Sequence, residues 1–535
     1  MTAQAPERPV SPYRSQAGPG KAGFAQLLHA EWTKFRTVRG WLAGLLVAVL
    51  LTVGLGVLVA AGGAQAVCQA AGGGPVRSGA ACGKPANPIG PGGEPVADQF
   101  YFVHQPLAGN GSLTVRIMSL TGLLPASLGS NPDKPGLVPW AKAGIIINGT
   151  DNGSAYAAMM VTGGNGVRMQ WNYTGDTPGL PGAVSAASPR WLRLTRDGDT
   201  ITGYDSADGT HWTRVGAVTL TGLPATVQAG LFVASPTGMA FAPSFGEGGI
   251  SDGPSLATAV FDQVSTSGAW PSGAWAGESL GGGPQGLGYH QTAGRFTVTG
   301  SGDIAPILAG PLGDVYGPDG TVLADYLVGT FAGLVAAAVV AAMYMSSEYR
   351  RGLIRTTLAA SPARARVLAA KTVVIGAAAF VAGLAAAGGT VAFATWYAHS
   401  HGRVVFPEPW PTELRIIAGT AALIAVAAVL ALALATILRR SVAVVTIMIV
   451  AIVLPYLLTV TSVLPAGAAE WVLRLSPAAA FALQQAAPAY HQVQAAYAPG
   501  VGYYPLAPWA GFAVLCAWTA LALGAAAYLL KRRDA

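Results

Sequence analysis

Between two long apolar segments lies a basic stretch, Glu348 to Lys371, reading EYRRGLIRTTLAASPARARVLAAK. It carries Arg350, Arg351, Arg355, Arg364, Arg366 and Lys371 against one acid, Glu348. Lys and Arg clustered in a short loop mark the cytoplasmic side of a membrane. Before Ser361-Pro362, the residues Leu353, Ile354, Thr357 and Leu358 fall at helical spacing opposite Arg351 and Arg355. That pattern predicts an amphipathic helix against the inner face, ended by Pro362. A plain topogenic loop is the competing reading. A second charged group, Glu31 and Lys34, sits in GFAQLLHAEWTKFRTVRG, where Phe24, Leu27, Leu28, Trp32 and Phe35 recur at roughly helical spacing. This predicts an amphipathic interfacial helix over 21–40, with Trp and basic residues at headgroup level.

Other residue types suit other chemistry. Glycoside hydrolysis needs two carboxylates about 5 to 10 Å apart across a sugar. Asp205 and Asp208 are close in sequence, but they sit in a predicted hairpin, where Asp is favoured for turn reasons alone. Trp171, Tyr204 and Trp212 are candidates for stacking on the sugar rings of an extracellular glycan. Burial in a sandwich core is the favoured alternative for all three. Cys68 and Cys82 both lie on the predicted outer side, a compartment that permits a disulfide between them. Neither His nor Cys shows metal-ligand spacing. Gly20-Lys21 and Gly83-Lys84 lack the preceding Gly and the following Ser or Thr of a P-loop.

The elements that must hold these residues follow from composition. The chain has 535 residues, is 52% apolar and 10% charged, with mean hydropathy +0.45. That excludes an ordinary soluble protein and points to an integral membrane protein. The net charge of +7 is explained by orientation rather than by nucleic acid.

Residues 1–20 are rich in Pro, Ser and Gly and predict a disordered cytoplasmic tail. Six spans are predicted over 41–61, 325–345, 372–397, 414–438, 441–464 and 509–530, with Pro455 expected to kink the fifth. Residues 346–371 are the loop between the second and third. A cleaved signal peptide is the rival to the first span, since Ala64-Gln65-Ala66 resembles a cleavage site. The lead of roughly 40 residues is too long for an ordinary n-region. Lys34, Arg36, Arg39, the bases from Arg350 to Lys371, Arg439-Arg440 and Lys531-Arg532-Arg533 all fall on one side of this topology. Both termini are therefore expected inside. Residues 465–508 predict an outer loop with a short interfacial or re-entrant helix near Pro477 to Gln485.

Residues 62–324 change pattern. SLTVRI, AGIIIN, YAAMMV, GVRMQW, WLRLTR and TITGYDS alternate as half-buried strands do, with Asp197-Gly198 and Asp208-Gly209 as turn signals. The expected fold class is thus a polytopic α-helical membrane protein with six transmembrane helices and an extracellular all-β sandwich inserted between the first two.

Two resemblances add to this. WAKAGIIINGTDNGSAYAAMMVTGGNGVRMQW and WLRLTRDGDTITGYDSADGTHWTRVG look like a concanavalin A-like jelly-roll module over about residues 98–265. A strand resembling the one that usually precedes that module, GRFTVTGSGDI, follows it here at 294–304. It is expected to pair back beside the first strand of the domain, so that both ends leave near the membrane. The helical part, through HAEWTKFRTVRGW and EYRRGLIRTTLAASPARARVLAAK, resembles the permease subunit of an ABC-2-type exporter. The matching positions are Glu31, Lys34, Glu348, Gly352, Leu358, Pro362 and Lys371; Leu353 stands where Thr is common, and the outer insertion is far larger than usual.

The resemblance implies that the first helix and first inner loop dock on a separate cytosolic ATPase. Glu31, Lys34, Glu348, Arg351, Gly352, Arg355, Pro362, Arg364 and Lys371 would then couple the two. ATP would be hydrolysed by the partner, with no cofactor bound by this chain. A homodimer or paired permease would carry an amphipathic or lipid-like cargo outward. The alternatives are a membrane-anchored module that binds or senses glycan, and a tethered hydrolase.

Overall fold

The structure, a computed structural model, describes residues 23–532 apart from 63–87, 126–131, 308–321, 354–356, 358–362 and a few stretches of one to three residues. Among the described residues, six helices are long and apolar enough to cross a membrane. Span 1 is Arg39–Ala61, span 2 Leu323–Arg350, span 3 Arg364–Ser400, span 4 Trp410–Leu438, span 5 Ser441–Val460 and span 6 Pro508–Arg532. Helix α1, Phe24–Thr37, precedes them.

Two boundaries differ from the sequence expectation in a way that matters. Span 2 runs on to Arg350 and span 3 begins at Arg364, so Glu348 and Lys371 lie inside helices rather than in the loop 346–371. A helix whose last turns carry charge ends where backbone geometry stops it, not where hydropathy falls. Here Gly352 adopts φ +68°, the left-handed conformation that commonly closes a helix. Span 5 ends at Val460 rather than 464 and contains a π-helical turn, Ile449–Val453, directly before Pro455. Proline has no N–H to give the preceding turn, and a π-turn accommodates the loss.

Small residues let the spans approach closely. A Cβ on Gly383 of span 3 would lie 2.7 Å from Ala421 Cα of span 4. One on Gly511 of span 6 would strike the carbonyl of Ala479, in a buried 3₁₀ helix, Pro477–Gln484. The helix expected near Pro477 therefore packs against the start of span 6. A further helix, Ala466–Leu475, precedes it.

The insertion is an antiparallel sandwich. One sheet orders the strands 213–219, 200–206, 190–197, 111–125, 256–268, 295–300 and 288–292, with 132–135 on the edge of 111–125. The other orders 276–280, 100–108, 226–234, 142–148, 156–162, 167–171 and 175–178. Leu113, Val115, Ile117, Leu192, Leu194, Ile145, Met159 and Leu231 are among the residues that fill the space between them. WLRLTR alternates as expected. AGIIIN and YAAMMV do not; every residue of Lys142–Asn148 and Tyr156–Thr162 is buried. The outer side of their sheet carries a second core, in which Phe100, Phe102, Ile146, Tyr156 and Phe232 meet Val96 and Ile304.

That second core closes the insertion. Ile304–Pro306 pairs antiparallel with Val96–Asp98, Ala97 opposite Ala305. Most of the returning segment lies elsewhere: Arg295–Gly300 pairs with the strand 256–268, Val298 opposite Ala259. Cys68 and Cys82 lie outside the described residues.

Candidate functional site: a buried charge cluster

Helix α1 turns Glu31 and Phe35, one helical turn apart, toward the bundle. Span 2 presents Tyr344 and Glu348 at the same spacing, and span 3 presents Lys371 in its third turn. The three elements meet there. Lys371 Nζ donates to Glu31 Oε2 at 2.7 Å and to Glu348 Oε1 at 2.6 Å. Tyr344 Oη donates to Glu31 Oε2 at 2.6 Å, and Lys34 is paired with Glu348. Glu31 is 3% exposed; Glu348 and Lys371 are 0% exposed.

Phe35 and Trp41 pack edge-on against Tyr344, at 5.8 and 4.9 Å between centroids. Lys371 Nζ lies 4.9 Å from the centre of the Tyr344 ring. Burial pushes the Glu31 carboxyl up, but the charge and hydrogen bond of Lys371, and then Tyr344, outweigh it and hold Glu31 below its ordinary value. Burial and the facing Lys371 ammonium draw Lys34 down to about 8, against the attraction of Glu31.

Two acids and two bases cancel, so the cluster is neutral as a whole. Charges so deeply buried are tolerated only when each finds a partner. Glu31, Glu348 and Lys371 therefore face one another inside the fold, and Lys34, its side chain 28% exposed, pairs with Glu348 from the edge, clamping α1 to spans 2 and 3. Arg351 and Gly352 are exposed. Arg364 donates to the Leu530 carbonyl at 2.6 Å and ties the start of span 3 to the end of span 6. Arg355 and Pro362 lie outside the described residues. Tyr344 belongs to the site and was not singled out in the sequence; its one signal is its place one helical turn before Glu348.

At the sandwich end, Arg415 Nη2 donates to the Gln485 carbonyl at 2.8 Å. Gln492 Nε2 donates to the Thr174 carbonyl at 2.8 Å, joining the loop after the helix Pro477–Gln484 to the sandwich. Burial raises Glu408 from 4.5 to about 7, with Arg415 opposing. A carboxyl whose folded value is raised lends stability fully below about pH 4.5 and loses it as pH rises through about 7. Glu408→Gln is therefore expected to raise the thermal midpoint at pH 8 and leave it nearly unchanged at pH 4.5. The full span is worth at most about 3 kcal/mol. Equal midpoint changes at both pH values would contradict this.

The sandwich aromatics do not form one surface. Trp171 belongs to one sheet and packs on the inter-sheet core, while Tyr204 belongs to the other and Trp212 lies in the turn just before its edge strand 213–219. The Arg193 guanidinium covers Trp212 at 3.9 Å, and Tyr204 stands opposite Arg193 in register. Asp205 is buried and accepts from the Leu180 amide at 2.6 Å; burial pushes its carboxyl up. Asp208 accepts from the Thr210 and His211 amides, both at 2.8 Å, and from His211 Nδ1 at 2.7 Å. The His211 side chain and these amides hold the Asp208 carboxyl well below its usual range. One carboxylate is sunk beneath its sheet and the other shapes a turn, so they are not a pair flanking a substrate. Among the described residues, no group of three His, Cys, Asp or Glu side chains is placed to hold a metal.

Solved structures that overlap the chain include scytalido-glutamic peptidase, at 8% identity over 39% of this chain and 100% of that one, TM-score 0.23. The GH43 BlXynB protein of Bacillus licheniformis overlaps at 13% identity, 37% and 27% coverage, TM-score 0.16. The alginate lyase of Klebsiella pneumoniae does so at 12%, 30% and 61%, TM-score 0.18. Likenesses this slight say nothing of activity. None of the curated proteins compared with the chain matches it. The description "ABC-2 family transporter protein" matches residues 186–535, from within the sandwich through all of spans 2 to 6. With its six spans and inserted sandwich, the chain belongs to the ABC-2 family of transporter proteins.

Proposed function

We propose that the chain is the permease subunit of an exporter driven by a separate cytosolic ATPase. The observation that carries this reading is the buried cluster of Glu31, Lys34, Glu348 and Lys371. It makes α1 and the ends of spans 2 and 3 one rigid platform while leaving Arg350 and Arg351 exposed at its edge. Arg439 stacks over Tyr349 at 4.9 Å and Arg364 reaches Leu530, so the basic ends of spans 4 and 6 gather beside it. Clustered bases of this kind mark the cytoplasmic face, with the sandwich outside. The platform is a surface that a partner can push as a unit.

The amphipathic α1 and the short helix Pro477–Gln484 before the last span suit a permease, and one span would suffice for an anchor. The ATPase hydrolyses the ATP; two permease units flank the path, and an amphipathic cargo leaves on the sandwich side. In the test, the tagged chain is purified from native membranes in mild detergent, and a P-loop ATPase is expected to accompany it. Arg350→Glu with Arg351→Glu is expected to reduce the bound ATPase about tenfold with an unchanged thermal midpoint, since exposed charges affect docking rather than folding. Full retention of the ATPase by that variant would remove the platform from the interface.

A further inference from the structure

Each sheet of the sandwich has one face turned away from the core between them, and the chain itself covers one of the two. Phe100, Phe102, Ile146 and Phe232 are buried under Val96 and Ile304, in the segments that lead from and to the spans. The corresponding face of the other sheet is open. Along the strand 190–197, Leu192 and Leu194 are buried between the sheets, whereas Trp191, Arg193 and Thr195 alternate with them and are half-buried. Side chains directly opposite one another on paired strands share a face. Tyr204 stands opposite Arg214 on one neighbouring strand and Arg193 on the other, and Arg193 stands opposite Thr114. One row across this face therefore reads Arg214, Tyr204, Arg193, Thr114.

The acids of this face are already taken. Asp262 accepts from Arg116 Nε at 2.7 Å and Nη2 at 2.8 Å, and Asp208 is held by His211. Among the described residues neither Arg193 nor Arg214 forms an ion pair. Arg193 is also fixed in place. Its Nε donates to Thr114 Oγ1 at 3.0 Å and its guanidinium lies on the Trp212 ring at 3.9 Å, while its two amino groups have no acceptor among the described residues. Arg214 is exposed and Tyr204 half-buried. A guanidinium held in this way offers a carboxylate two parallel N–H donors, with little side-chain freedom left to lose. With strands about 4.8 Å apart, the two arginines are rooted about 10 Å from one another, and the Tyr204 ring stands between them. The row is thus a cation, a flat apolar ring and a second cation, over a distance comparable to two linked sugar residues.

We propose that this open sheet face binds an acidic polysaccharide of the uronic acid kind. A sugar ring rests on Tyr204, and the carboxylates of the flanking sugars meet Arg193 and Arg214. A neutral glycan would leave both guanidinium groups unanswered, and a simple anion would leave the ring unused. The proposal goes beyond the permease reading and does not rest on it. Binding needs neither ATPase nor cargo, so the failure of either leaves the other standing.

The experiment measures binding of tetragalacturonate to the full chain in phosphatidylcholine nanodiscs. Its fully methyl-esterified form supplies the same sugars without charge, and tetraglutamate supplies the charge without sugars. Tetragalacturonate is expected to bind at least about tenfold more tightly than either. Arg193→Gln and Arg214→Gln are each expected to weaken it about tenfold, and Tyr204→Leu about fivefold. Arg295→Gln, at an exposed arginine three strands from Arg193 in the same sheet, is expected to change nothing. No binding of tetragalacturonate, equal binding of either comparison compound, or affinity indifferent to Arg214→Gln would each overturn the proposal. Arg214 is exposed, so its variant decides the matter even if Arg193→Gln or Tyr204→Leu disturbs the fold.

Discussion

Glu348→Met is expected to destabilise the chain by about 3–5 kcal/mol, and Glu348→Met with Lys371→Met to restore most of that loss. The single change removes one negative charge from a neutral group of four and leaves Lys371 and Lys34 sharing Glu31. Lys371 is wholly buried, so its ammonium cannot turn to water. The double change removes one charge of each sign and leaves Glu31 with Lys34, 3.9 Å apart, still anchored by Tyr344. Chemical denaturation in mild detergent measures both. If the double variant is as unstable as the single one, Glu348 and Lys371 are not energetically coupled and the clamp is wrong. The pair of variants also separates two roles: a side chain that touched the ATPase directly would lose it in both, whereas a clamp recovers the ATPase with its stability.

A comparable loss is expected in the sandwich. Lys142 is 0% exposed, with Nζ 2.5 Å from Asp303 Oδ1 and 2.8 Å from the Ile304 carbonyl. Asp303→Ala leaves that ammonium with a single carbonyl between two apolar cores, at a cost of about 3–5 kcal/mol. The effect should be local. Ile304 follows directly and pairs with Asp98, so the closing strands are expected to open first. Hydrogen exchange at Val96–Asp98 should quicken by at least about a hundredfold in Asp303→Ala, and Lys142→Met with Asp303→Ala should slow it again. Exchange unchanged in the single variant would mean that the ion pair does not hold the two ends together.

Much of the architecture was readable without coordinates. A stretch of about twenty apolar residues has few options other than a membrane helix, because unsatisfied backbone groups are too costly in lipid. Strand periodicity likewise reported one buried face wherever a strand has only one, as in WLRLTR. It failed for AGIIIN and YAAMMV, since a second core on the outer side of their sheet comes from segments 40 or more residues away, Val96 and Ile304. The helix Pro477–Gln484 was legible as a Pro-led apolar run, but not its closeness to Gly511.

The candidate site divides in the same way. Glu31, Lys34, Glu348 and Lys371 stood out, with Arg351, Gly352, Arg355, Pro362 and Arg364, through the resemblance to ABC-2-type permeases. Nothing local says that Lys371 lies between Glu31 and Glu348, 340 and 23 residues away, or that Tyr344 shares the site. Nor could spacing reveal that Trp171 belongs to a different sheet from Tyr204. The sequence by itself determined the six spans, the inserted sandwich and the gathering of bases toward one end, since each follows from the solvent that a short stretch prefers. Only the tertiary structure decided which charges pair and which strands are covered on both faces. Those outcomes depend on the packing of segments far apart in the chain, and local periodicity carries no information about a distant partner.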